Sequence, residues 1–133
     1  GIQAMKVVVF SLTGEIERLV EGELDNLYPM LWEDPNTMVV DSFPDAETQY
    51  IPVGTYTIMD RPAFDVPANL EIESNGLDSV TFTFPFDVQI YVDQVPLEAE
   101  TNTLTIISEE AAVYEIDVNH WPYLPYHVEV NVI

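Results

Sequence analysis

Apolar and polar residues alternate with a period of two over much of the chain, the spacing that puts one face of a strand on a core and the other in water. In the second half this pattern recurs in Leu70–Glu73, Val80–Phe84, Val88–Val92, Leu104–Ile107, Val113–Val118 and Val128–Val132. Turn residues separate these runs: Asn75-Gly76, Pro85, Asp93-Gln94, Thr101-Asn102, and Pro122 with Pro125. Six short strands at such regular spacing predict a two-sheet sandwich of immunoglobulin-like type. The first half is more mixed. Lys6–Leu12, the Thr13-Gly14 turn signal and Glu15–Val20 predict a hairpin. Leu24, Leu27, Tyr28, Leu31 and Trp32 have helical spacing and predict a short helix over Glu23–Trp32, with Pro29 inside it. Asp34-Pro35-Asn36 predicts a turn and Thr37–Asp41 a strand. Pro44–Thr48 suits a single helical turn, and Tyr50–Val53 with Thr55–Met59 suits a strand pair about Gly54.

Asp60-Arg61-Pro62-Ala63-Phe64-Asp65-Val66-Pro67 holds two prolines in a short space and is the best boundary in the chain. The expected organisation is therefore mainly β. A small N-terminal α+β module over 1–63 precedes an immunoglobulin-like β-sandwich over 64–133, and the fold reading starts at Met5, which reads as the natural start after 1–4. No apolar run approaches the roughly 18 residues of a membrane span, and Met5–Phe10 is too short for a secretory leader.

Composition narrows the function. Hydrophobic residues make up 47% of the 133-residue chain and aromatics 11%, too much apolar surface for intrinsic disorder. Against 24 Asp and Glu stand only Lys6, Arg18 and Arg61, a formal net charge of −21. A surface of that sign repels phosphate backbones and anionic lipid headgroups, so neither nucleic acid nor a membrane is an expected partner. Self-repulsion makes folding and assembly favour screening salt, bound cations or a basic partner. There is no cysteine, which removes disulfides, thiolate metal sites and thiol nucleophiles together.

The most distinctive stretch is His120-Trp121-Pro122-Tyr123-Leu124-Pro125-Tyr126-His127. Its rings bring contact area with polar tips, and its prolines lower the cost of ordering on binding. His120, Trp121, Tyr123, Tyr126 and His127 are thus the candidate binding surface, set against the plainer reading that these rings cap the end of a core. The spacing of His120 and His127 across two prolines fits no standard metal motif, so no metal and no cofactor is expected. Asp60, Asp65, Asp93, Glu98 and Glu100 could ligate calcium weakly, but no calcium-loop pattern joins them, and a solvated acidic surface explains them better. No nucleophile elbow and no glycine-rich phosphate loop occurs, and no enzyme is expected.

Short motifs along nearly the whole chain resemble those of small proteins encoded among the structural genes of tailed bacteriophages and prophages. They are Phe10–Ile16, Tyr50-Ile51-Pro52-Val53-Gly54, Arg61-Pro62-Ala63-Phe64, Ile90-Tyr91-Val92-Asp93, Tyr114-Glu115-Ile116-Asp117-Val118, Pro122-Tyr123-Leu124 and Val128-Glu129-Val130. The chain departs from that pattern at Gln94, which takes the place of a turn glycine. The resemblance implies a non-enzymatic virion protein of tail, fibre or head surface, made in the host cytoplasm. Its implied partners are other virion proteins, further copies of itself among them. It transfers no catalytic residue. Two rival readings follow from the residues: a module binding a surface glycan through Trp121, Tyr123 and Tyr126, and an acidic inhibitor mimicking nucleic acid.

Overall fold

The computed structural model describes residues 4–23, 26, 27, 29 and 35–133. It is mainly β, and the chain divides into two compact units, 1–61 and 62–133.

In the first unit, β1 (Ala4–Phe10), β2 (Ile16–Glu23) and β3 (Thr37–Val40) form an antiparallel sheet in the order β2-β1-β3. Val7, Val8, Val9 and Phe10 are all buried. A central strand covered on both faces reads as a continuous apolar run, which is why alternation fails there. Val8 and Phe10 pack with Ile51, and around them lie Ile16, Met38, Val40 and Ile58. The β1–β2 connection closes through Ser11 N–H donating to the Glu15 carbonyl and Gly14 N–H donating to that of Ser11, with Gly14 at φ +91°.

The expected turn after Pro44 is present: Gln49 N–H donates to the Asp45 carbonyl at 2.8 Å, and the Asp45 carboxylate caps Glu47 N–H at 2.9 Å. It leads into β4 (Gln49–Tyr50), which pairs with β5 (Met59–Asp60). This hairpin is narrower than its residues suggest. Pro52–Thr55 turn back on themselves through Thr55 N–H and the Pro52 carbonyl, so Tyr50–Val53 and Thr55–Met59 are loop over most of their length. The helix expected over Glu23–Trp32 falls on residues that, apart from Glu23, Asn26, Leu27 and Pro29, lie outside the described ones, and Glu23 ends β2. Asn26, Leu27 and Pro29 have helical backbone, but the α part of the expected α+β module is not seen as an element, and the other described residues of this unit form sheet, turns and loops.

The second unit contains β6 (Glu71–Ile72), β7 (Val80–Val88), β8 (Ile90–Val92), β9 (Val95–Pro96), β10 (Thr101–Ile106), β11 (Ala112–Val118) and β12 (Tyr126–Val132). One sheet runs β6-β12-β11-β8-β9 and the other pairs β10 with β7. All pairings are antiparallel except β12 with β6. Strict alternation gives each sheet an apolar face. Tyr126, Val128, Val130 and Val132 are buried on β12, and Val80, Phe82, Phe84 and Val88 on β7. Those faces join Ile90, Ile106, Ile116 and Val118 in a single hydrophobic cluster, to which Phe64 also belongs.

Two turn signals are overridden in this unit. Pro85 lies inside β7 and Asn102 inside β10. Pro85 is tolerated because, among the described residues, β7 pairs on one side only, and a residue without N–H costs little on an edge. Between Thr83 and Val88 the register with β10 shifts, so the strand bulges where the proline sits. The Asp93-Gln94 turn between β8 and β9 holds both residues at positive φ, 50° and 67°, the geometry of a tight primed hairpin.

Candidate functional site

The residues of 119–125 join β11 to β12, and hydrogen bonds tie them to the start of the second unit. Tyr123 N–H donates to the His120 carbonyl at 2.7 Å, and Leu124 N–H donates to the Pro62 carbonyl at 2.8 Å. The Tyr126 hydroxyl donates to the Asp65 carbonyl at 3.3 Å. Burial, with the nearby Asp65 carboxylate adding to it, pushes the Tyr126 hydroxyl up to about 12, so it stays a proton donor across the physiological range.

Phe64 is the centre of the aromatic packing. Its ring stacks on Tyr123 with centroids 4.1 Å apart, and meets Phe84 and Tyr126 edge-on at 5.2 and 6.1 Å. His120 lies against Phe86 at 4.7 Å. The edge-on pairs add to the stabilisation from buried area because the positive edge of one ring meets the negative face of another. Of the candidate binding residues, Tyr126 is buried among Phe64, Phe82 and Phe84. Trp121 and Tyr123 are half-buried, and His120 and His127 are exposed. The stretch is thus split: Tyr126 belongs to the core, Tyr123 gives one face to Phe64, and the two histidines turn to different partners.

An open groove of about 560 Å³ runs beside β7. One wall is Ala63–Pro67, the other Thr81, Thr83, Phe84 and Pro85 of β7, and Tyr123 lies at the side. Its lining mixes the Phe64, Phe84 and Tyr123 rings with the Thr81 and Thr83 hydroxyls. Beside it, among the described residues, no strand pairs with β7 on the edge away from β10. Sequence reasoning chose Tyr123 but missed Phe64, Thr81 and Thr83, because nothing local says that the junction folds back along β7.

His127 stands on the outward face of β12. Its Nδ1 donates to Asp117 Oδ1 at 2.6 Å from the directly opposite position on β11. The hydrogen bond donated to Asp117, then the charge of that carboxylate, raises the imidazole above its usual range, and Glu115 and Glu129 act in the same direction. A raised histidine contributes stability that is complete below the unfolded value near 6.5 and is lost as pH rises through the folded value. In metal-free buffer, an NMR titration is expected to place His127 above 6.5, and Asp117→Asn to bring it back towards that value. An unshifted His127 in the wild type would contradict the pairing.

Compared with protein-family models, curated proteins and solved structures, the chain matches none.

Proposed function

We propose that this chain is a non-enzymatic structural or accessory protein of a tailed-phage virion, working through protein–protein contacts of an immunoglobulin-like second unit. The strand order supports the immunoglobulin-like reading. In that sandwich one sheet holds the second and fifth strands, and the other the last two with the middle pair. Here β7 with β10 and β12-β11-β8-β9 occupy corresponding places, and the antibody-type cysteine pair is replaced by apolar packing.

The observation that carries the function is the open edge of β7 with its groove. An unpaired edge offers a row of backbone donors and acceptors to another strand, and natural proteins otherwise cover or charge such an edge. On the groove side, β7 presents Thr81, Thr83 and Pro85, with no charged side chain among them. We take the added strand to come from a second copy of this chain. The net charge of −21 then makes association depend on salt, since like-charged subunits approach only when screened.

Light scattering coupled to size exclusion, at low and high salt, tests this. A defined oligomer that strengthens with salt and is dissolved by Thr83→Glu is expected, and a monomer at every salt overturns the self-assembly reading. The mixed aromatic and hydroxyl lining also suits a sugar ring, so binding on a glycan array together with a monomeric chain would put the glycan reading in its place.

A further inference from the structure

The geometry points to a metal site for a borderline transition ion such as Zn²⁺ on the outward face of β11 and β12, with Glu115, His127 and Glu129 as ligands and Asp117 orienting the histidine. Glu115 sits directly opposite Glu129, and Asp117 directly opposite His127, in alternate pairs of one register. The intervening Ile116 and Val128 are buried, so the alternation of both strands turns all four polar side chains to the same outer face. One ligand atom from each of Glu115, His127 and Glu129 lies within 4.8 Å of the other two. Rotation of exposed side chains closes that span onto bonds of about 2.0–2.2 Å.

Three features separate this group from ordinary surface acids. First, it contains a nitrogen donor. Calcium prefers six to eight oxygens, whereas one imidazole with two carboxylates suits zinc and its neighbours, with water completing the shell. Second, Asp117 stands outside the ligand set and holds Nδ1 of the imidazole, leaving Nε2 for the metal. A carboxylate behind a histidine is the usual support of a metal-bound imidazole, fixing both tautomer and ring direction. Third, Glu115 and Glu129 are like charges directly across a strand pair, an arrangement that destabilises a sheet unless something neutralises it. Lys6, Arg18 and Arg61 all belong to the first unit, so the second unit has no Lys or Arg of its own to do so. Because the ligands stand on paired strands, their spacing is set by the sheet.

The test uses the full chain, stripped with chelator and titrated with Zn²⁺ by calorimetry in excess Mg²⁺, which occupies the diffuse acidic surface. One saturable site is expected, with Co²⁺ giving the visible absorption of a four-coordinate centre. His127→Gln should weaken Zn²⁺ at least about 10-fold. Asp117→Asn, which keeps every ligand, should weaken it by about 10–100-fold. Both positions are at the surface, so unchanged metal-free thermal unfolding verifies that the variants are folded. Zn²⁺ uptake that Mg²⁺ displaces, or that His127→Gln leaves at wild-type strength, overturns the site.

Discussion

Phe64→Ala is expected to destabilise the second unit by about 3–5 kcal/mol, the usual cost of deleting a buried aromatic ring. The ring is 6% exposed and sits in the cluster that unites both sheets. Removing it takes away the stacked partner of Tyr123 and the edge-on partners of Phe84 and Tyr126 at once. The cavity left behind cannot close fully, because Pro62 and Asp65 stay bonded to the 119–126 connection. Urea unfolding followed by tyrosine and tryptophan fluorescence measures the loss. Leu77→Ala provides the contrast: Leu77 is 85% exposed, and its truncation should stay within about 0.5 kcal/mol. A Phe64→Ala protein as stable as the Leu77→Ala protein would mean that 63–67 does not close the core. The groove beside β7 would then lose its second wall.

Phe64 also marks the limit of what the sequence can convey. The alternation in Val80–Phe84, Val113–Val118 and Val128–Val132 identified strands and inward faces, because those are properties of neighbouring residues in one stretch. Pro85 and Asn102 misled, since a turn-forming residue is accepted in a strand when its outer edge is unpaired or bulged. Pairing is not local either. Glu115, Asp117, His127 and Glu129 are four scattered polar residues in the sequence, and only the β11–β12 register makes them a group. His120 and His127 lie close along the chain without the spacing of a metal motif, and in the structure one packs on Phe86 and the other on Asp117. In the aromatic stretch Tyr126 caps the core, as the plainer reading has it, while Tyr123 packs one face on Phe64 and borders the groove.

The first unit depends on one glycine in a comparable way. Gly14 sits at φ +91°, a backbone region that side chains rarely adopt. Its carbonyl accepts the Ile51 N–H at 3.0 Å, so the hairpin end and the chain just after β4 lie backbone against backbone. A Cβ at this position would collide with the Ile51 carbonyl oxygen, which is main chain and cannot rotate aside. Ile51 is 1% exposed and packs with Val8 and Phe10, so retreat of that carbonyl would pull the side chain out of the unit's core. Gly14→Ala therefore combines an unfavourable φ, of order 1–3 kcal/mol, with a steric conflict that only repacking relieves. The expected result is loss of hydrogen-exchange protection at Val8, Phe10 and Ile51, with amides of β11 and β12 unchanged because they belong to the other unit. Gly54, also at positive φ but with open space about its missing Cβ, separates the two effects: Gly54→Ala carries the backbone cost alone and should be the milder variant. Equal losses at both positions would show that φ rather than the Ile51 contact sets the requirement for glycine at 14.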